Sequence, residues 1–189
     1  PTHECSSAAS DVYKRQIAFC SSLGEGGVAD WSALYLVIVT EVSQAHAALG
    51  FGAFSLAMVV IRMMGDSIIS KLGKVVSGRL SALIAFFGSA LVLSSGYYPI
   101  ILCGLAFIGA GYAILIPVCL SRAAEDLSIS PGAAIASVST LGYSGFLLGP
   151  PLLGLIAEYT SVASVFVILM LQTIIIFIAS KQLGSFTPN

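Results

Sequence analysis

The chain has 189 residues, of which 57% are hydrophobic and only 9% are charged, and its formal net charge is −1. Soluble domains carry about 25% charged residues, so a chain with this few cannot cover a surface that faces water. The small net charge gives no reason to expect a nucleic-acid partner. We therefore predict an all-α, polytopic membrane protein whose solvent is the lipid bilayer.

The first sixteen residues differ from the rest. Residues 6–16 read like the in-frame translation of a sequencing-library adapter, and no Met opens the chain. Non-native segments are set aside before the fold is considered. We predict that residues 1–16 are non-native, that residues 17–183 form a six-helix membrane domain and that residues 184–189 form a cytoplasmic tail.

Six apolar segments follow, each close to the about 20 residues that a membrane-spanning helix needs. The predicted spans are 17–40, 47–64, 76–94, 100–120, 131–157 and 162–180. Residues 65–74 are predicted to form a charged loop, and 121–130 a second one that carries Arg122, Glu125 and Asp126. Pro150-Pro151 should kink or break the fifth span, because proline removes a backbone donor.

The basic residues predict the orientation. Beyond residue 16 there are six, and with six spans all fall on one side of the membrane: Arg62, Lys71, Lys74, Arg79, Arg122 and Lys181. An excess of Lys and Arg marks the cytoplasmic side. We therefore expect both ends of the membrane domain on the cytoplasmic side of the cell (inner) membrane.

Two acids interrupt the first span, within Gly24-Glu25-Gly26-Gly27-Val28-Ala29-Asp30-Trp31. A charged residue at the centre of a membrane helix costs about 2.5–3.5 kcal/mol, so it indicates a functional site by default. Glu25 is predicted to carry a proton or bind a polar solute group; the alternative is a protonated acid that caps backbone loosened by the glycines. Asp30 is either an outer gate or substrate contact, or a solvated residue at the rim. Trp31 either stacks on a sugar-like ring or anchors the helix at the interface.

Other polar residues within the spans are candidates for the same site. Tyr112, Tyr143, Ser139, Thr140 and Gln172 should line a cavity or bond between helices. Any basic partner of Glu25 is expected in sequence upstream of residue 17.

Arg62 and Asp66 are four residues apart, which places them side by side on a helix. They are predicted to form a latch, unless Arg62 only reaches toward the membrane surface.

No catalytic pattern is present. Cys20, Cys103 and Cys119 lie in apolar segments without metal-ligand spacing, and neither G-x-S-x-G, HExxH nor a P-loop occurs. We expect neither an enzyme nor a bound cofactor or metal.

The pattern of six spans resembles the C-terminal half of a major facilitator superfamily (MFS) transporter. Arg62-Met63-Met64-Gly65-Asp66, followed by Lys71-Leu72-Gly73-Lys74, is similar to the family's cytoplasmic loop motif, although Ser67 replaces a basic residue. The segment at 142–151, which ends in Gly149-Pro150-Pro151, is similar to the family's eleventh helix, and the segment at 24–32 looks most like the fucose-permease-like and rhizopine-transporter-like bacterial groups. The resemblance implies a cytoplasmic gate at Arg62, Gly65, Asp66, Lys71 and Gly73 and a helix bend at Gly149, Pro150 and Pro151.

The resemblance also implies a function. It predicts a secondary active transporter of a small polar solute, coupled to protons and working by alternating access, with a missing N-terminal half as partner. The alternatives are an exporter of drugs or metabolites and a non-transporting receptor or assembly protein on the same scaffold.

Overall fold

The computed structural model describes residues 2–125 and 130–184, with side chains from residue 12 onward. The described residues form helices joined by short connections. A 3-10 turn, Ser180–Leu183, follows the last α-helix. The α-helices are α1 (Thr2–Thr40), α2 (Gln44–Leu72), α3 (Lys74–Ser94), α4 (Tyr98–Tyr112), α5 (Leu115–Ala124), α6 (Pro131–Tyr159) and α7 (Ala163–Ala179).

Five helical segments of the described chain are long and apolar enough to cross a membrane. The prediction of an all-α, polytopic membrane protein is therefore confirmed. The segments are Gln44–Leu72, Lys74–Ser94, Tyr98–Ala124, Pro131–Tyr159 and Ala163–Leu183. The sixth long helix, α1, is not among them, because Glu25 and Asp30 with the neighbouring glycines lower its hydropathy.

The charged loop predicted at 65–74 is wrong, because α2 continues through it to Leu72. Ile68 and Ile69 pack against the core while Asp66 and Lys71 are exposed, so this end of α2 is an amphipathic helix rather than a loop. The reversal is made at Gly73, whose φ of 77° lies in the left-handed region that glycine adopts without steric cost.

The fourth span consists of α4 and α5, which meet at Ala113 and Ile114. Pro117 explains the break, since a proline cannot donate to the carbonyl four residues earlier and its ring crowds that carbonyl. The carbonyl in question is that of Ala113. The regular pattern resumes at once, because the Val118 amide donates to the Ile114 carbonyl over 3.0 Å.

The fifth span is not broken at its two prolines. Pro150 and Pro151 lie inside α6, which continues without a break from Pro131 to Tyr159. Pro151 is exposed and Pro150 is half-buried. Both prolines therefore lie toward the outer face of the helix.

Small residues hold the bundle together. The main packing pairs are α3 with α4, α1 with α6, α2 with α4 and α3 with α7. Where α3 crosses α4, a Cβ atom on Gly88 would lie 2.7 Å from the Gly104 carbonyl oxygen, and one on Gly104 would lie 2.7 Å from that of Gly88. The backbones can approach this closely only because both residues lack a side chain, which is how helices associate in lipid.

The two ends of the chain remain matters of prediction. Residues 2–16 form the first part of α1, and their non-native origin stays a prediction. Asp126 of the second predicted loop and residues 185–189 of the predicted tail lie outside the described residues.

Candidate functional site

An ion pair joins α1 to α2 inside the bundle. Nη2 of Arg62 donates to both carboxylate oxygens of Glu25, each over 3.1 Å. The Glu25 side chain is only 10% exposed, whereas that of Arg62 is 43% exposed. A carboxylate this deeply buried is stabilised only if a cation neutralises it, and Arg62 does so from within the chain.

A second hydrogen bond fixes the other side of the Arg62 guanidinium. Its Nε donates to the carbonyl of Ala113 over 3.1 Å. This is the carbonyl that Pro117 leaves without a helical donor. Arg62 therefore connects Glu25 of α1 to the break between α4 and α5.

Gly65 brings α2 close to this break. The residue is buried, and a Cβ atom on it would lie 3.2 Å from Cγ2 of Ile114. Because Gly65 lies three residues after Arg62, the close approach and the Ala113 hydrogen bond lie on the same face of α2.

The ion pair lies on the wall of a cavity of about 440 Å³. Tyr143 lies at its mouth, with 72% of the residue exposed. The wall is mainly apolar, and hydroxyl groups on α1 and α6 add hydrogen-bonding capacity. The lining residues are Ser22, Glu25, Arg62, Ile116, Pro117, Leu120, Val138, Ser139, Gly142, Tyr143 and Phe146.

The glycines beside Glu25 pack rather than unwind. Helix α1 is continuous, so the expected cap on loosened backbone at Glu25 is absent from the described chain. A Cβ atom on Gly26 would lie 3.2 Å from the Phe146 ring, and one on Gly27 would lie 2.9 Å from Leu153. These positions let α6 approach the face of α1 next to Glu25.

Tyr112 and Gln172 form a buried pair behind the cavity. Nε2 of Gln172 donates to the Tyr112 hydroxyl over 2.7 Å, and both side chains are buried. A Cβ atom on Gly24 would overlap the Tyr112 ring and lie 2.7 Å from the Gln172 amide nitrogen. The pair thus bonds α4 to α7 against α1, and neither residue lines the cavity.

Asp30 and Trp31 lie away from the cavity. Asp30 is exposed on α1. The Trp31 ring lies against α6, where a Cβ atom on Gly154 would be 3.1 Å from its Cζ2 atom. Trp31 therefore packs between α1 and α6, and its stacking on a solute or anchoring at the interface stays a prediction.

The predicted gate residues separate into three environments. Arg62 bonds to Glu25 rather than to Asp66, so the predicted latch between Arg62 and Asp66 is not the pairing found. Gly65 is a helix contact, Asp66 and Lys71 are exposed, and Gly73 forms the turn. Because α2 extends to Leu72, Arg62 lies about 15 Å before the end of this helix.

A charged cluster lies beyond the gate residues. Nζ of Lys74 bonds to Glu125, and Nη1 of Arg122 lies 3.6 Å from the same carboxylate. Nε of Arg122 also donates to the Gly184 carbonyl over 3.3 Å. These contacts tie α3, α5 and the end of the described chain together on the side where the basic residues collect.

The predicted bend residues lie in the part of α6 that packs on α1. A Cβ atom on Gly149 would lie 3.3 Å from Cγ of Leu23, so this glycine is a contact with α1. Pro150 and Pro151 are part of a continuous helix.

Sequence reasoning missed the pairing of Glu25 with Arg62 and the part played by Pro117. A usable signal was present, because Arg62 is a basic residue inside the predicted span 47–64. An acid and a base within the spans of one membrane domain are expected to pair. Proline at position 117 indicated a free carbonyl at 113, but not which donor would fill it.

The chain is similar to several curated membrane proteins. It is 38% identical over 167 residues to an uncharacterized transporter of Sinorhizobium fredii, covering 88% of this chain and 44% of the relative. It is 33% identical over 164 residues to the membrane protein MosC of Rhizobium meliloti, covering 87% and 40%. It is 32% identical over 163 residues to an uncharacterized MFS-type transporter of Yersinia pestis, covering 84% and 42%.

The chain is related to the MFS transporters. It spans less than half the length of these relatives, a share that fits one six-helix half. No family model matches it. The relatives are named as transporters and membrane proteins rather than as enzymes. Together with the five apolar helical segments, they support a multi-pass membrane protein. The similarity to the fucose-permease-like and rhizopine-transporter-like bacterial groups stays a prediction.

Proposed function

We propose that this chain is the C-terminal half of a proton-coupled secondary transporter for a small polar solute. The observation that carries the proposal is the Glu25–Arg62 ion pair on the wall of the cavity. An acid and a base at membrane depth are costly, and they usually mark an ion or substrate pathway. The transporter names of the relatives support the same conclusion.

In the proposed mechanism Glu25 exchanges its partner for a proton. While Glu25 is ionised, Arg62 holds it through Nη2. Protonation of the carboxyl group removes the charge attraction and frees Nη2 of Arg62 for a polar group of the solute. Ser22, Ser139 and Tyr143 provide further hydrogen bonds from the cavity wall. Binding of solute and proton would then be linked through one arginine.

A facing N-terminal half is proposed as the partner that completes the cavity. The exposed apolar residues of α6 include Tyr143, Leu147 and Leu148, which continue outward from the cavity lining. In the MFS arrangement two six-helix halves enclose a site near the midplane, and rocking of one half against the other alternates its access. We further propose that both ends of this half lie on the cytoplasmic side of the inner membrane, where the basic residues collect.

An exporter of apolar metabolites is the second candidate. It is favoured by the apolar part of the cavity wall, to which Ile116, Leu120, Val138 and Phe146 contribute. The two candidates differ in the direction of net movement and in the polarity of the solute.

The test is proton movement in vesicles that contain the full-length protein and a trapped pH-sensitive dye. Sugars, polyols, amino sugars and small carboxylates are added outside as a panel. We expect at least one of them to drive proton uptake, and we expect Glu25→Gln to abolish the uptake. Asp30→Asn is the matched control, because Asp30 is an acid on the same helix that is exposed and outside the cavity. Full proton uptake by the Glu25→Gln variant would overturn the proposal.

A further inference from the structure

Arg62 is held at two points, one on α1 and one at the break between α4 and α5. Nη2 contacts the Glu25 carboxylate, and Nε contacts the Ala113 carbonyl, both at 3.1 Å. The first contact neutralises a charge. The second fixes the direction of the guanidinium plane, because Nε and Nη2 lie on one edge of a rigid planar group.

The Ala113 carbonyl is available only because residue 117 is proline. In an α-helix the carbonyl of residue 113 accepts from the amide of residue 117, and proline has no amide hydrogen. The interruption is confined to this position, since the Val118 amide already donates to the Ile114 carbonyl. A buried carbonyl left without a donor costs free energy, and Arg62 provides the donor.

We propose that Pro117 is a positioning residue for the Glu25–Arg62 pair: its missing amide hydrogen leaves the Ala113 carbonyl to Arg62, which aims the guanidinium at Glu25. The anchoring follows from the contacts themselves, whereas its importance for transport rests on the proposed function. Pro117 also lines the cavity, so the residue that frees the carbonyl lies beside the pair that it organises.

The first test measures how accessible Arg62 is to phenylglyoxal, a reagent that modifies arginine. The full-length protein in detergent is treated, and modification of each arginine is followed by mass spectrometry of the peptides. We expect Pro117→Ala, which restores an amide hydrogen, to raise the modification rate of Arg62 roughly tenfold, the factor expected for one hydrogen bond to a charged group. Arg79 and Arg122 are internal references whose rates should not change. An unchanged rate at Arg62 would overturn the proposal.

Two backbone variants separate the amide hydrogen from the shape of the side chain. Replacing Pro117 with lactic acid, the α-hydroxy analogue of alanine, removes the ring but adds no amide hydrogen, so the Arg62 rate should stay as in the native protein. Replacing Ile114 with its α-hydroxy analogue turns the Ala113 carbonyl into a weaker ester acceptor and should raise the Arg62 rate although Pro117 is retained. A raised rate with lactic acid at 117 would assign the effect to packing and overturn the proposal.

A proline control and a transport measurement complete the test. Pro151→Ala changes an exposed proline in α6 that does not line the cavity, and it should leave the Arg62 rate unchanged. In the vesicle measurement, Pro117→Ala should reduce the proton uptake that depends on Glu25. If Pro117→Ala raised the modification rate of Arg62 without changing proton uptake, the hydrogen bond to Ala113 would be supported. Its role in transport would be overturned. If Glu25→Gln, with Pro117 retained, left proton uptake unchanged, the proposed function would be overturned. The hydrogen bond from Arg62 to the Ala113 carbonyl would not be affected by that result.

Discussion

The two members of the ion pair are unequally exposed, and this inequality determines how each responds to loss of the other. Glu25 is 10% exposed and loses most of its hydration in the folded protein, while Arg62 is 43% exposed and keeps much of it. Removing the arginine therefore leaves a buried charge without a partner. Removing the acid leaves an arginine that water can still reach.

We expect Arg62→Met to destabilise the protein more than Glu25→Gln does. The expected loss for Arg62→Met is about 1–3 kcal/mol, the cost of leaving a buried charged group unsatisfied. Thermal unfolding of the purified full-length protein would measure it. Combining both substitutions should recover part of the loss, because no isolated charge remains. Equal destabilisation by the two single variants would contradict the unequal burial of the pair.

Gly24 gives a second prediction at the scale of one residue. A Cβ atom there would overlap the Tyr112 ring and crowd the Gln172 amide, so Gly24→Ala should displace the buried pair. Overpacking of this kind costs about 1–3 kcal/mol. Gly52→Ala is the matched control, since a Cβ atom on Gly52 would meet nothing within 4 Å. The melting temperature of Gly24→Ala should fall, and that of Gly52→Ala should not.

The sequence singles out Glu25 as a candidate site residue, but its local spacing assigned the wrong neighbour to Arg62. The acid can be recognised in the sequence because a charged residue within an apolar membrane span is energetically costly. The pairing is not visible, because Glu25 and Arg62 are 37 residues apart and the local spacing favoured Asp66. A contact between helices depends on how the helices pack. The spacing of residues within one helix carries no information about that packing.

At the scale of the elements, the connection between α2 and α3 is a single residue, Gly73. Its amide donates to the Ile69 carbonyl over 2.9 Å while its φ stays positive. A connection of one residue restricts how far the two helices can move relative to each other.

We expect Gly73→Ala to lower stability by about 1 kcal/mol, because an L-residue with a side chain is strained at positive φ. Gly132→Ala is a useful comparison, since Gly132 lies in the first turn of α6 and a Cβ atom there would meet nothing within 4 Å. It should be neutral or stabilising, as alanine favours helix over glycine. Both values would come from thermal unfolding. A stable Gly73→Ala variant would show that the turn tolerates another backbone conformation.

Hydropathy located the spans well and their ends less well. The ends of α3, α6 and α7 lie within about two residues of prediction, because apolar runs bounded by polar residues define them. The end of α2 was missed because Asp66, Lys71 and Lys74 read as loop residues. Charged side chains can remain on the outer face of a helix, while the partly buried Ile68 and Ile69 pack against the core on its inner face.

At the scale of the whole molecule, the basic residues mark one end of the bundle. Lys74, Arg122 and Glu125 form a cluster that joins α3, α5 and the end of the described chain. His46 lies at the opposite end of α2 from Lys71, and both are exposed. These two positions are therefore suited to a test of orientation.

We expect His46→Cys to react with a membrane-impermeant maleimide in intact cells, and Lys71→Cys to react only after the membrane is permeabilised. The experiment uses the full-length protein with Cys103 replaced by serine, since Cys103 is an exposed cysteine. Labelling measured by gel shift in both conditions gives the sidedness. Labelling of Lys71→Cys in intact cells would reverse the proposed orientation.

The position of Trp31 has an optical consequence. It is the single tryptophan of the chain, and its indole lies against Gly154 of α6 with Nε1 buried and without an acceptor in the described part of the molecule. Indole emission shifts to longer wavelength when water reaches the ring. Any separation of α1 from α6 would admit water there, so intrinsic fluorescence can follow that separation in real time without an attached dye.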